Sequence, residues 1–435
     1  MGKTVSKDKS GSMKSLALYY PSLEHSGGIE RVVIELCRIF HSHEYSCILI
    51  TDVVVSFYAN RLSVDTVLLP NNKDDRHTSW VKALSEHKIQ YVITNGGFGS
   101  SWHDDIQSIH DAGAKIINTV HFSFPSPMLF NGAWRSYQDV LEIGLACDAL
   151  ATVSKMDAYW WCALGCNAYH VQNPFTYYEH GANQIDYTNH TMIWVGRGVE
   201  QKQPLEAIKV IKKVVRAIPD AQLIMVGLED GGRRLKRLIS EWGLKDHVNI
   251  VGPTCEIGKY YQQASLHLLT SITESFCLVI AEAKSYKMPT VMYEIPFLEL
   301  VEDKKGVYAV KQGDSDAAAR CIVELFSNPD RLRQEGEEAY TTLAHFNDEE
   351  VIQKWEKIFQ EIESGERIKP NLDNPYETII REIYSAWRHH CEQNVWKIEL
   401  FDNVERATGK SVKKTIECIT NRIITPLKKF KRKIK

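Results

Sequence analysis

The chain lacks any run of about 18 apolar residues, so no segment of it reads as a membrane-spanning helix. Its first stretch, "MGKTVSKDKSGSMKS", has no apolar core and is not a signal peptide. That stretch does fit the loose Met-Gly-x-x-x-Ser myristoylation pattern. It is read as a flexible leader, or as an extension ahead of a start at Met13. The ten cysteines include no CxxC pair, and the nearest two are Cys162 and Cys166. This spacing fits buried thiols in a reducing cytoplasm better than a disulfide framework or a zinc site. A strong charge of one sign is also missing: the net charge is -3 over 435 residues, which leaves no case for nucleic acid as the main partner. There is no internal repeat and no low-complexity tract.

What is present is a globular composition, 44% hydrophobic and 25% charged, in a chain too long for one ordinary core. From Ser15 onward, short β-rich runs alternate with amphipathic stretches. The strand candidates are 15–20 ("SLALYY"), 46–50, 91–95, 115–120 and 149–154, with helices expected at 30–42, 77–88, 103–112 and 133–146. The alternation breaks at "QNPFTYYEHGANQIDYTNH" (172–190) and resumes with strands at 191–196, 221–227, 248–252, 266–271, 289–293 and 306–310. Helices are expected again at 315–326, 330–344 and 348–363. Apolar strands alternating with helices predict parallel sheets covered on both faces. Two such series predict an α/β chain of two doubly wound, Rossmann-like domains, 15–172 and 191–345, joined by a linker at 173–190. A crossover helix (346–369) and a helical basic tail (370–435) follow, and 1–14 is the leader. Ligands of such sheets bind beyond the carboxyl ends of the strands, which directs attention to the cleft between the domains.

Two glutamates stand out in "TESFCLVIAEAKSYKMPTV" (273–291). Glu274 falls in the loop after a strand, and Glu282 in the second turn of a helix beginning near Cys277. The first amides of that helix, around Phe276, Cys277 and Leu278, lack intrahelical partners and form an anion-binding terminus. An ionised carboxylate accepts hydrogen bonds and donates none, so two of them beside a bound phosphate would address sugar hydroxyls. Taken alone, an N-cap role for Glu274 and a buried salt bridge for Glu282 are equally open. In "VGRGVEQKQPLEAIKVIKKV" (195–214), Arg197 leaves the tip of a strand and Lys202 precedes a helix. Two cations facing a free helix terminus across one cleft suit a diphosphate. Either cation by itself would read as a solvated surface charge.

Together these residues resemble the retaining glycosyltransferases of family 4, within the GT-B fold. "ESFCLVIAE" is similar to that family's E-x7-E motif. "VGR" with the downstream lysine, "HSGGIERVV" (25–33), "QNPF" (172–175) and "HFNDEEVIQKWEKIF" (345–359) match it as well, so the resemblance covers about 15–365. It implies that Arg197 and Lys202 hold the donor's diphosphate, that Glu282 accepts ribose hydroxyls, and that Glu274 binds the transferred sugar. The amides at Phe276, Cys277 and Leu278 would assist at the helix terminus. Gly27 and Gly28, in the loop after the first strand, permit close backbone approach to a phosphate or the acceptor. His121, which alone would read as a packed histidine, is placed by the resemblance against the donor sugar. Asn95, Gly96 and Gly97 follow another strand end and could line the acceptor pocket.

The implied reaction moves a sugar from a nucleotide-sugar donor to an acceptor hydroxyl with retention, by front-face attack and without a bound metal or other cofactor. The expected acceptor is a lipid-linked glycan of a surface polysaccharide or glycolipid. The competing readings are a nucleotide-sugar epimerase and a catalytically silent GT-B-like subunit. "DSD" at 314–316 resembles a metal motif of another glycosyltransferase fold, but Asp314 and Asp316 read as helix caps. The histidines of "HSHEYS" and "RHHCEQ" lack ligand spacing and read as solvated. In the tail, Val412, Ile416, Ile419, Ile423, Leu427, Phe430 and Ile434 form one helical stripe, with seven Lys or Arg between Arg422 and Lys435. Pro426 would kink or split such a helix. Two readings of the stripe are open: an interfacial helix on an anionic membrane, which would make this a cytoplasmic protein peripheral to the inner membrane face, and packing on the protein's own N-terminal domain or a partner subunit, with the basic end disordered.

Overall fold

A computed structural model describes residues 14–24, 27–54, 62–96, 102–124, 126, 134–175, 185–229, 232–295 and 297–365. The leader, His25 and Ser26 of the glycine loop, Gly97, the middle of the linker and the tail with its basic stripe lie outside the described residues.

The N-terminal sheet is built from β1 (Ser15–Tyr19), β3 (Ser46–Thr51), β5 (Asp65–Leu68), β6 (Tyr91–Asn95), β7 (Lys115–Val120), β8 (Ala149–Thr152) and β9 (Ala168–His170). A separate two-stranded ladder pairs β2 (Ser22–Leu23) with β4 (Val53–Val54). Helices α1 (Gly28–Ser42), α2 (Lys73–Glu86), α3 (Trp102–Asp111), α4 (Trp134–Ala146) and α5 (Lys155–Ala163) connect them. The C-terminal sheet comprises β10 (Thr191–Val195), β11 (Gln222–Val226), β12 (Val248–Val251), β13 (Leu266–Leu269), β14 (Thr290–Tyr293) and β15 (Val307–Val310). Its helices are α6 (Pro204–Val214), α7 (Arg233–Glu241), α8 (Gly258–Tyr261), α9 (Leu278–Ser285), α10 (Ser315–Phe326) and α11 (Pro329–Thr341), and α12 (Asp348–Ser364) closes the described chain.

The sheet orders are β5-β3-β1-β6-β7-β8-β9 and β12-β11-β10-β13-β14-β15, with every described pairing parallel. Strand composition explains this. β1, β6 and β10 are buried at every residue, as strands covered on both faces must be. In each sheet the order reverses beside the first strand: β1 has β3 on one side and β6 on the other, and β10 has β11 and β13. Crevices at such switch points are where doubly wound sheets bind ligands. The loops after β1, β6, β10 and β13 carry Gly27, Gly96, Arg197 and Glu274 respectively.

Helix α12 belongs to the N-terminal domain by packing. Its Val351, Ile352, Trp355, Ile358 and Phe359 join the core of Leu36, Phe40, Tyr45 and Tyr91. Tyr91 lies 4.4 Å from the Phe359 ring, centroid to centroid, and its hydroxyl donates to Glu363 at 2.6 Å. Asn347 caps α12 by accepting from the Glu350 amide at 2.9 Å. The chain therefore crosses between domains twice, once through 171–190 and once through 342–347.

Candidate active site

Loop 270–276 after β13 and the short turn Glu200–Lys202 after β10 are zipped together by backbone and side chain. The Ile272 amide donates to the Gln201 carbonyl at 2.9 Å, and the Gln201 side chain donates to the Thr273 carbonyl at 2.8 Å. Thr270 Oγ1 donates to the Lys202 carbonyl at 2.9 Å and accepts from the buried Trp194 indole at 2.9 Å. These bonds fix Lys202 against Glu274, Nζ to Oε1 2.5 Å, with side chains only 18% and 8% exposed. Burial alone would lower the Lys202 pKa, but the charge of Glu274 and the hydrogen bond that Lys202 donates to it raise it. Arg197 stands exposed at the tip of β10 and close enough to act on the Lys202 charge.

Helix α9 starts at Leu278, with Cys277 as its N-cap in the left-handed conformation, φ 68°. Glu274 is thus not the cap; it is three residues upstream and committed to Lys202. Burial, with Glu274 alongside, pushes the Cys277 thiol well up, so it stays neutral. Phe276 lies one residue outside the helix mouth and packs edge-on against Phe346 at 5.9 Å. Glu282, in the second turn, is buried: its Oε2 accepts from the Tyr261 hydroxyl at 2.9 Å and its Oε1 pairs with Arg31 of α1, from the opposite domain. Of the readings left open for Glu282, the buried salt bridge is the one the structure displays.

The N-terminus of α1 meets that of α9 across the cleft. A methyl group placed on Gly28 would meet Leu278 Cδ1 at 3.5 Å, an ordinary van der Waals contact, so the two helix starts are near neighbours. Gly27 is the N-cap of α1, and the Glu30 carboxylate folds back over it, held by the Tyr20 hydroxyl at 3.2 Å. The starts of α1 and α9 thus lie side by side; the Glu30 carboxylate offsets the dipole of the first, and the partial positive charge of the second lies at the end of the loop that carries Glu274.

His121 follows β7. Its carbonyl accepts from Ser275 Oγ at 2.7 Å, and Ser123 Oγ shares a 2.8 Å bond with Thr273 Oγ1, so its loop is tied to the loop of Glu274. Burial pushes the imidazole down to about 4, with the Asn173 side chain opposing, so it is neutral at pH 7. Asn95 is placed differently from the acceptor role expected of it: it is fully buried, and its Oδ1 holds His121 Nε2 at 3.2 Å. Gly96 makes the turn beyond it, φ 79°.

Among the described residues no cluster of three His, Cys, Asp or Glu is arranged to hold a metal. Asp314 caps α10 by accepting from the Ala317 amide at 2.9 Å. Asp316, expected as a cap too, pairs instead with Lys213 at 2.7 Å, because it falls in the first turn where its carboxylate points outward. Neither is near Glu274 by any described contact. Sequence reasoning missed Arg31, Tyr261, Gln201 and Ser275. Arg31 had a signal, lying three residues from the glycine pair; Tyr261, in "GKYY", had none.

Residues 179–342 match the family model of glycosyl transferases group 1. The chain is 23% identical over 363 residues to an uncharacterized glycosyltransferase of Haemophilus influenzae, covering 80% of this chain and 100% of that one. It is 30% identical over 180 residues to the exopolysaccharide phosphotransferase SCO2592 of Streptomyces coelicolor, covering 41% of this chain but only 19% of that protein. Among solved structures, TarM superposes with a TM-score of 0.69 at 13% identity, over 81% of this chain and 100% of that one. A Staphylococcus aureus TarM mutant has been solved with fondaparinux, alpha-GlcNAc-glycerol and UDP. The fold is GT-B. The chain is a glycosyltransferase.

Proposed function

We propose that the chain is a retaining, family 4-type glycosyltransferase that moves a sugar from a nucleoside-diphosphate donor to a hydroxyl of a lipid-linked glycan in surface polysaccharide or glycolipid synthesis. The observation that carries this reading is the buried Lys202–Glu274 pair on the loop that leads into the mouth of α9, with the start of α1 against that mouth. A diphosphate at the mouth of α9 would meet its dipole and the cations of Lys202 and Arg197, while Glu274 and Glu282 offer lone pairs to hydroxyls. That a TarM mutant was solved with UDP and alpha-GlcNAc-glycerol supports the donor class.

In this mechanism the bond from the anomeric carbon to the phosphate oxygen breaks as the acceptor oxygen bonds to the same face. The acceptor's proton passes to the departing phosphate oxygen. Arg197 and Lys202 stabilise the charge that develops on the diphosphate, which is where most of the rate enhancement arises. Neutral His121, beside the loop of Glu274, gives its one N–H to Asn95 Oδ1 and so offers Nδ1 as an acceptor for a sugar hydroxyl without adding charge. The apolar stripe and basic end of 411–435 support a membrane-borne acceptor.

A thermal-shift panel of UDP-, GDP-, ADP- and CMP-sugars tests the donor reading, since a ligand that binds only the folded state raises its melting temperature. One donor is expected to stabilise the protein and to be slowly hydrolysed, releasing sugar with its anomeric configuration kept, as read by proton NMR. No stabilisation and no hydrolysis with any donor would favour the silent subunit. An inverted product would overturn retention.

A further inference from the structure

Glu282 has two partners of different origin. Tyr261, fully buried and stacked on Tyr286 at 5.2 Å, belongs to the same domain and is fixed with it. Arg31 is on α1, one turn from Gly28, and comes from the other domain. The Glu282 side chain is 4% exposed and that of Arg31 is 35% exposed, so the cation reaches inward from the rim of the cleft to the buried carboxylate. An ionised carboxylate offers about four acceptor positions. Tyr261 and Arg31 each occupy one oxygen, which leaves two positions, the number that a vicinal diol needs.

We propose that Arg31 is a positioning residue for the donor ribose: it crosses from the N-terminal domain, balances the charge of Glu282 and leaves two of its lone pairs turned toward the ribose hydroxyls. The proposal rests on the donor reading above and deepens it. It has two physical consequences. The pair offsets the repulsion between a buried carboxylate and the diphosphate bound nearby. It also makes the ribose site complete only when the two domains are docked, so donor binding and domain docking favour each other reciprocally. A purely structural tie between α1 and α9 would hold the domains together but would have no dependence on the ribose hydroxyls.

That dependence is the test. The full chain is titrated calorimetrically with UDP and with 2′,3′-dideoxy-UDP, or with the corresponding pair for whichever of GDP, ADP or CDP binds. The wild type is expected to prefer the diol by about tenfold or more, the value of hydrogen bonds to a charged acceptor. In Arg31→Ala the preference falls to about twofold or less, because affinity for the diol drops more than affinity for the dideoxy form, which loses only the charge balance against its diphosphate. Glu282→Gln gives the same collapse. Arg31→Lys, which keeps the charge without the guanidinium fork, gives an intermediate preference and decides the question if the alanine variant does not fold. An unchanged preference in the Arg31 variants, or equal loss for both nucleotides, overturns the role of Arg31 and leaves the donor reading standing. Failure of the wild type to bind any of the four nucleoside diphosphates overturns the donor reading itself.

Discussion

Replacing Lys202 with methionine removes the charge that faces Glu274 while keeping much of the side chain's length. Glu274 would then be a carboxylate 8% exposed with its counter-charge gone. Breaking one side of a buried ion pair costs about 3–5 kcal/mol, and the 18% exposure of Lys202 places this pair at the lower end, about 3 kcal/mol. With a urea dependence of about 2–3 kcal/mol per molar, the unfolding midpoint should fall by about 1 M or slightly more. Adding Glu274→Gln removes the stranded charge as well, and should restore about 2 kcal/mol of the loss. The assay is urea unfolding of the wild type, both single variants and the double variant at pH 7.5. A double variant as unstable as Lys202→Met would refute the claim that these residues form a coupled buried pair. Transfer should be abolished in all three, while Glu274→Gln still binds the nucleotide.

Arg197→Ala should lower turnover about 100-fold or more, as loss of a charge that stabilises a leaving group does, and leave the urea midpoint unchanged because the side chain is exposed. Activity should survive EDTA; full loss restored by Mg²⁺ or Mn²⁺ would reopen the case for Asp314 and Asp316. His121, held down at about 4, contributes stability above its unfolded value that disappears as pH falls from about 6.5 to 4, at most about 3 kcal/mol. His121→Gln should flatten the fall in urea midpoint across that window, and an equally steep fall would count against burial of the ring. Truncation after Lys410 should release the protein from anionic liposomes and spare transfer to a short soluble acceptor; unchanged liposome binding would locate the membrane contact elsewhere.

The strands at 91–95 and 115–120 and the helix at 315–326 stand where their residues predict, because a continuous apolar run between turn residues has few other uses in a chain of this composition. Edge strand β5 was illegible: Asp65, Thr66 and Leu68 are exposed, so nothing in "DTVL" alternates. Helix α5 was missed for the opposite reason. Tyr159, Trp160 and Trp161 are consecutive and all buried, which erases the 3.6-residue stripe by which a surface helix is recognised. The start of α2 came four residues earlier than expected because its first turn is polar, although Asn72, which accepts from the Asp74 amide at 3.0 Å, marks it. For the site, individual residues at strand ends could be read from spacing, since a doubly wound sheet assigns those positions their place. The pairings could not. That Glu274 is matched with Lys202 and Glu282 with Arg31 depends on how two loops and two domains meet, and no local pattern encodes either distance.

The return of α12 to the first domain bears on the order in which the protein is made. Trp355 and Phe359 fill the space beneath Phe40, Tyr45 and Tyr91, and these five rings lie some 300 residues apart along the chain. On the ribosome, where domains usually fold from the N-terminus onward, the first domain emerges without its last aromatic layer and waits through synthesis of the whole second domain. The second domain, whose sheet is contiguous from 191 to 310, can close at once. The domain begun first is therefore completed last, and its unfinished face stays exposed to chaperones until the final helix arrives.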